Sequence, residues 1–233
     1  MKKSKRYSQL LEKIDSAKEY DLTEAVRVVR ESATSKFDET VEIAINLGVD
    51  PRHADQNIRG TASLPYGTGK SARVLVLTQG QKEKEAEEAG ADYVGLDDYI
   101  KKIEGGWFEF DSVVATPDVM SKVGKMGKVL GPRGLMPSPK SGTVTMDVTD
   151  TVKAIKGGRI EFRVDKNGIL HVGLGKTSFD AEKIEENVKS FVLAVIRLKP
   201  ASAKGQYIKR LTLSSTMGPG VKVNHQNLLL SLK

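Results

Sequence analysis

The polar side chains best suited to chemistry in this sequence lie on a strand-like segment near its end. Leu211 and Leu213 alternate there with a guanidinium and three hydroxyls, which belong to Arg210, Thr212, Ser214 and Thr216. This alternation predicts a strand with one face on a core and the other open. Guanidinium and hydroxyl groups are suitable donors to phosphate and ribose oxygens. The open face is therefore predicted to bind RNA.

The same segment ends in Thr216–Gly220, with the sequence TMGPG. Gly218 and Gly220 allow the backbone to come close to a ribose, because glycine has no Cβ. Met217 offers a soft apolar surface on which a base or a ribose can pack. We expect this turn to contribute to the RNA contact.

A second candidate contact segment lies near the start of the chain. Lys36 and Phe37 supply a cation and an aromatic ring. Thr40 and Glu42 follow on the open face of a predicted strand. Glu42 can accept a hydrogen bond from a 2′-hydroxyl or a base amino group, which would help to distinguish RNA from DNA. Two alternatives stay open: Phe37 as a core aromatic and Glu42 as a solvated carboxylate.

A third segment is basic and rich in glycine and proline. Between Asp118 and Asp147 there is no acidic residue. The cations of this stretch are Lys122, Lys125, Lys128, Arg133 and Lys140. Its glycines and prolines predict a loop over residues 124–142. Bases on such a loop can lie along phosphates, and a solvated loop is an equal alternative.

The motifs and residue spacings typical of catalysis or metal binding are missing from the sequence. There is no cysteine, and His53, His171 and His225 lie too far apart for metal-ligand spacing. Gly67–Ser71 resembles part of a phosphate loop, but position 64 is Leu and a strand follows. We therefore predict no catalytic residue, no metal and no cofactor. An enzyme that binds a nucleotide in the middle of the chain is the alternative, and it would need a glycine-rich phosphate cradle.

Two kinds of strand position these residues. Residues 40–47 alternate apolar and polar side chains, after a helix that Asp21 caps. Residues 72–77 are nearly all apolar, as expected for a strand covered on both sides. The middle segment continues with helices over 80–90 and 97–104, a strand over 112–115 and a helix near 150–156. Strands that alternate with helices predict a small parallel sheet there.

The pattern changes again after Gly157–Gly158. Residues 160–164 and 169–172 flank an Asn-Gly turn, which predicts a β-hairpin. A long helix with apolar residues from Ile184 to Val195 follows and stops before Pro200. A last strand is expected from about residue 206 to 215.

This arrangement predicts an α/β fold with a split, two-domain architecture. The terminal domain would be α+β. Residues 1–67 and 160–233 would form one discontinuous RNA-binding domain, and residues 68–159 would be inserted into it. The chain would cross between them near Leu64–Lys70 and Gly157–Gly158, which together make a plausible hinge.

The charge distribution favours the same division. The 233-residue chain has a net charge of +7. Its two ends hold 23 basic and 17 acidic residues, and the middle holds 14 and 13. Residues 187–233 carry eight basic side chains and no acidic one. This asymmetry indicates a polyanionic partner such as nucleic acid, and a tail that only improves solubility is the alternative.

Nothing in the sequence predicts a membrane contact. The longest apolar stretch, Phe191–Ile196, is too short to cross a bilayer. The basic N-terminus is not followed by the apolar region of a signal peptide. The expected location is the cytoplasm.

Three motifs together resemble the bacterial ribosomal protein L-one family. They are Lys128–Pro137, Thr216–Pro219 and Ser35–Thr40, and the resemblance extends over essentially the whole chain. It implies a discontinuous RNA-binding domain with an inserted Rossmann-like, three-layer α/β domain. It also implies a protein of the large ribosomal subunit that binds ribosomal RNA of the mobile stalk beside the tRNA exit site.

The resemblance further implies particular contacts and partners. The expected RNA contacts are Lys36, Phe37, Thr40, Glu42, Thr216, Met217 and Gly218. Less specific candidates are Asp165, Lys166 and His171 near the Asn-Gly turn, with Arg210 and Ser214 of the last strand. Further implied partners are the messenger RNA of the protein's own operon, whose translation it would repress, and deacylated tRNA, whose release it would assist. The free protein would be a monomer.

Overall fold

The structure is a computed structural model, and it describes residues 4–15 and 17–232. It is mixed α/β, as predicted. Its strands within those ranges are β1 Thr40–Leu47, β2 Arg59–Ser63, β3 Val74–Leu77, β4 Tyr93–Gly95, β5 Ser112–Ala115, β6 Arg159–Arg163, β7 Ile169–Lys176, β8 Ile208–Ser215 and β9 Val221–Val223.

Helices lie in four of the eight connections between these strands. Over the same ranges they are α1 Lys5–Glu12, α2 Leu22–Ser32, α3 Gln81–Glu88, α4 Asp97–Glu104, α5 Met120–Val123, α6 Gly127–Leu130, α7 Val148–Lys156, α8 Ala181–Arg197 and α9 His225–Ser231. In the described part of the chain, none of them has the length and apolar character that crossing a membrane requires.

The chain divides into two compact units. Unit 1 comprises Met1–Gly69 and Glu161–Lys233, and unit 2 comprises Lys70–Ile160. Unit 1 contains a four-stranded sheet in the order β7-β1-β8-β9, whose neighbours all pair antiparallel. Helices α2 and α8 pack on this sheet. The valine, isoleucine and leucine residues of β1 and β8 are buried, and the residues that alternate with them are at least partly open to solvent.

Unit 2 contains the predicted parallel sheet, in the order β4-β3-β5. Every residue of β3 is buried. Leu75 and Leu77 join one apolar cluster, and Val74 and Val76 join another. The sheet therefore has a core on each face, which explains why the sequence of β3 is apolar throughout.

The predicted hairpin after residue 160 is wrong. The turn itself is present: the Gly168 amide donates to the carbonyl of Asp165 at 3.2 Å, and Gly168 has a φ of +78°. The strands on its two sides then separate: β6 pairs with β2 and β7 pairs with β1. An Asn-Gly pair determines the turn, but the strand partners depend on distant segments.

Three further expectations need correction. Much of the predicted loop over 124–142 is helical, because Val123, Met126 and Leu130 are buried at helical spacing. Asp21 stands at the N-cap of α2, yet its side chain accepts from Asn227 at 3.0 Å instead of capping. The last predicted strand begins at Ile208, and β9 and α9 follow it unpredicted.

Candidate RNA-binding site

The site is built on the solvent-exposed face of the four-stranded sheet, here called the open face. Residues directly opposite each other on antiparallel strands point to the same side. Three such sets cross from β7 through β1 to β8: Gly173, Glu42 and Ser214; His171, Ala44 and Thr212; and Ile169, Asn46 and Arg210. The structure thus brings together four predicted contact residues, Glu42, His171, Arg210 and Ser214.

Thr40 and Thr216 close one end of the open face. The Thr40 amide donates to Thr216 Oγ1 at 2.9 Å, and the Thr216 hydroxyl donates to the Thr40 carbonyl at 3.3 Å. Lys176 at the end of β7 donates from Nζ to Thr40 Oγ1 at 3.2 Å. A cation and two hydroxyls therefore meet at this edge, although the sequence did not single out Lys176.

Two loops continue from this end, and both present apolar side chains to solvent. The first, Thr34–Asp38, carries Phe37, which is 56% exposed. The second, Thr216–Gly218, carries Met217, which is 48% exposed. The alternative that Phe37 is a core aromatic is therefore wrong. Lys36 is also exposed in the first loop.

The carboxylate of Asp38 fastens the first loop to the turn after β7. It accepts from Thr177 Oγ1 at 3.0 Å, from Ser178 Oγ at 2.9 Å and from the Ser178 amide at 3.2 Å. These hydrogen bonds, led by that of the Ser178 side chain, lower the pKa of Asp38. The loop therefore has a hydrogen-bonded support beneath its exposed residues.

Arg6 on α1 contacts both loops. Its guanidinium donates to the carbonyl of Met217 at 3.0 Å, to Thr34 Oγ1 at 3.2 Å and to Ser35 Oγ at 3.3 Å. No local pattern in the sequence connects residue 6 with residue 217, so this contact was not predicted.

Asp165 and Lys166 lie in the turn between β6 and β7. Asp165 Oδ1 accepts from the amides of Asn167 and Ile169, both at 2.8 Å, so this oxygen is committed to the turn. Asp165 Oδ2 lies 3.9 Å from His171 Nε2. A polar cavity of about 410 Å³ adjoins the turn, and Arg52 and Arg163 line it together with Lys166. The two arginines extend the basic surface and were not predicted.

The geometry suits a polyanion with sugar hydroxyls better than a small substrate. Donors and one acceptor carboxylate are spread over the open face, and two exposed apolar groups lie in the loops at its end, rather than being collected in a cavity. Among the described residues, no group of three or more histidine and acidic side chains is placed to hold a metal ion.

The fold and this surface define a two-unit α/β protein with a polar, partly basic sheet face. The model of the ribosomal protein L1p/L10e family matches residues 29–219, so the chain belongs to that family. Membership makes it a ribosomal protein rather than an enzyme, which decides against the nucleotide-binding enzyme considered above.

Two relatives match nearly the whole chain. The large ribosomal subunit protein uL1 of Chlorobaculum tepidum is 58% identical over 219 residues, which cover 94% of this chain and 95% of that protein. The large ribosomal subunit protein uL1 of Thermobifida fusca is 58% identical over 224 residues, which cover 96% of this chain and 95% of that protein.

Proposed function

We propose that this protein is a cytoplasmic constituent of the large ribosomal subunit that binds ribosomal RNA of the mobile stalk through the open face and its two loops. The observation that carries the proposal is the alignment of Glu42 and Ser214 on neighbouring strands, between exposed Phe37 and Met217 at one end and Arg210 at the other. The names of the two relatives support the assignment to the large subunit.

The chemistry of the surface favours RNA that is already folded. Side chains cannot read the narrow major groove of an A-form helix, so recognition depends on riboses, phosphates and unstacked bases. Ser214 can donate to such oxygens, and Glu42 can accept from a 2′-hydroxyl. The Thr216 hydroxyl donates to the Thr40 carbonyl, so its oxygen can offer RNA only an acceptor. Phe37 and Met217 provide apolar area for a base or a ribose. Asp165, Lys166 and His171 would extend the contact along β7.

The test is a salt titration of binding by the whole chain. The two RNAs are a stalk fragment of the large-subunit ribosomal RNA and a scrambled RNA of equal length. A preference for the fragment that persists as salt rises supports the proposal, because the non-specific electrostatic part of binding falls with salt. Equal affinity for both RNAs at every salt concentration contradicts it. Footprinting on the same fragment identifies the nucleotides that are contacted.

Repression of the protein's own operon is a second proposed activity, and it would use the same surface. One open face with one pair of loops can hold only one such RNA at a time. Ribosomal RNA should therefore compete fully with the operon messenger RNA for the protein. A ternary complex that contains both RNAs contradicts a shared site.

Release of deacylated tRNA is a third proposed activity. The feature that supports a polyanion contact in unit 2 is its basic segment, in which Lys125 and Lys128 are exposed and Arg133 lies 3.7 Å from the centre of the Phe108 ring. Ribosomes that lack the protein should release deacylated tRNA more slowly, and adding the protein back should restore the rate.

Sedimentation of the free protein tests the accompanying proposal that it is a monomer.

A further inference from the structure

Glu39 is a fully buried carboxylate between the two loops of the open face. Its side chain is 0% exposed. Oε1 accepts from the Ser35 amide at 3.0 Å, and Oε2 accepts from the Met217 amide at 2.9 Å. Each oxygen therefore holds a different loop, and the two loops come from opposite ends of the chain.

Burying a carboxylate is costly unless it is well hydrogen-bonded. Burial by itself raises the pKa of Glu39, but the hydrogen bonds led by that of the Met217 amide outweigh this effect and lower it. The group is thus ionised at neutral pH, and an ionised carboxylate can only accept hydrogen bonds. Each oxygen of the ionised Glu39 carboxylate therefore has a backbone amide as its donor.

The loops tied by Glu39 carry the most exposed apolar groups of the proposed interface. Phe37 lies two residues from Ser35, and Met217 itself supplies the second amide. The same carboxylate thus fixes the backbone beside both side chains. A surface whose contact groups are held before binding loses less conformational entropy when RNA arrives.

We propose that Glu39 is a positioning residue for RNA recognition, which ties the Ser35 and Met217 loops together so that Phe37 and Met217 are held at a set separation in the free protein. The inference rests on the proposed RNA-binding function. Glu39 itself does not touch RNA, because its side chain is inaccessible.

Glu39→Gln is the discriminating variant because it keeps the shape and removes one acceptor. A glutamine has one carbonyl oxygen and one NH₂ group, so one of the two backbone amides would face another donor. We expect affinity for the stalk fragment to fall about tenfold, as for loss of a hydrogen bond to a charged group. Affinity for scrambled RNA should stay as in the unchanged protein. Amide exchange at Ser35 or Met217 should become faster in the absence of RNA.

Two control variants separate positioning from charge and from stability. Glu31→Gln makes the same change of charge at an exposed site in unit 1. Val195→Ala weakens the buried core of α8 without touching the loops. Both should retain affinity for the fragment. If Glu39→Gln does not fold, Glu39→Asp takes its place, because the shorter side chain keeps the charge but not the reach to both loops.

The outcomes are distinct. Loss of fragment affinity in the Glu39 variant alone, with faster exchange at either amide, supports the inference. Unchanged fragment affinity or unchanged exchange overturns it, and so does an equal loss in Val195→Ala. If the unchanged protein shows no preference for the fragment, the proposed function fails and takes this inference with it. The exchange measurement needs no RNA, so the two failures can be distinguished.

Discussion

Phe37 and Met217 differ from most large apolar residues of the chain, which are buried in one of its cores. An exposed ring and an exposed thioether beside hydroxyls and a carboxylate provide apolar contact next to hydrogen-bonding groups. That combination suits unstacked bases and riboses, which have apolar faces and polar edges. At the scale of single residues, the feature that identifies the candidate site is therefore the solvent exposure of two apolar side chains, Phe37 and Met217.

Met217→Ala should lower affinity for the stalk fragment roughly tenfold. That factor corresponds to about 1.4 kcal/mol, which is the order of free energy that burying part of a methionine side chain contributes. Affinity for scrambled RNA should change little. The control is Met146→Ala, since Met146 is 50% exposed, like Met217, but lies in unit 2. Filter binding measures both variants. Equal losses on specific and scrambled RNA would remove Met217 from the proposed interface.

At the scale of elements, the turn after β8 depends on close packing. A Cβ added to Gly218 would lie 2.4 Å from Ser215 Oγ and 3.2 Å from Ser32 Oγ. Both serines are buried, so a side chain at position 218 would have to displace a group inside the core. The glycine is therefore required by space rather than by an unusual backbone angle.

Gly218→Ala should displace the Met217 loop and weaken binding to the stalk fragment about tenfold or more, with a loss of about 1–3 kcal/mol in stability from overpacking. Gly124→Ala is the control, because a Cβ there would meet nothing within 4 Å. Thermal unfolding and filter binding report the two effects. Ser215→Ala combined with Gly218→Ala removes the nearest oxygen and should recover part of the binding affinity and part of the stability. No recovery of either would contradict a clash with Ser215 Oγ.

The pKa of Asp38 predicts a dependence of stability on acid. Because its folded-state pKa is lowered, chiefly by the Ser178 side chain, the folded state binds this proton less readily than the unfolded chain. The stabilisation is present above the ordinary aspartate pKa of about 4 and is lost as pH falls through the folded value. Asp38→Asn should thus reduce unfolding free energy at neutral pH and approach the unchanged protein in acid.

Urea unfolding from neutral pH to below the ordinary aspartate pKa measures this difference for Asp38→Asn. Glu31→Gln is the control, since its carboxylate is exposed and pairs only with Arg27 at 3.8 Å among the contacts described. A constant difference between Asp38→Asn and the unchanged protein over the whole range would contradict the assigned role of the Asp38 carboxylate.

Elements with a strong local pattern were predicted well. Strand β1 was expected over residues 40–47 and occupies them, because its alternation matches a sheet with one open face. The predicted partner of β6 was wrong, since a turn signal does not say which sheet each strand joins. The helical run at Met120–Leu130 was missed because buried side chains outweigh the low helix propensity of its glycines.

At the scale of the whole molecule, the excess positive charge and the candidate RNA-binding residues lie in the same part of the chain. The two chain ends hold the excess of basic residues, and they form unit 1 with its open face. Unit 2 is nearly neutral, although its basic segment contrasts with acidic helices such as α3. We therefore expect unit 1 to supply most of the affinity for ribosomal RNA.

Replacing residues 70–160 with a flexible Gly/Ser linker tests this expectation. Unit 1 has its own sheet and its own core, so the shortened chain should fold. Its affinity for the stalk fragment should stay within about fivefold of the full chain, a difference of roughly 1 kcal/mol. Filter binding measures the affinity and circular dichroism reports folding. A folded but inactive product would assign the main contact to unit 2.

The sequence by itself determined the α/β class, the strand faces and the residue types of the candidate site, because periodicity and side-chain chemistry are local properties. It also indicated the family through three short motifs. Only the tertiary structure decided that Phe37 is exposed, that Arg6 bridges two loops and that Glu39 joins residues 35 and 217. Those facts depend on contacts between segments far apart in the chain, and such contacts leave no periodic signal in the sequence.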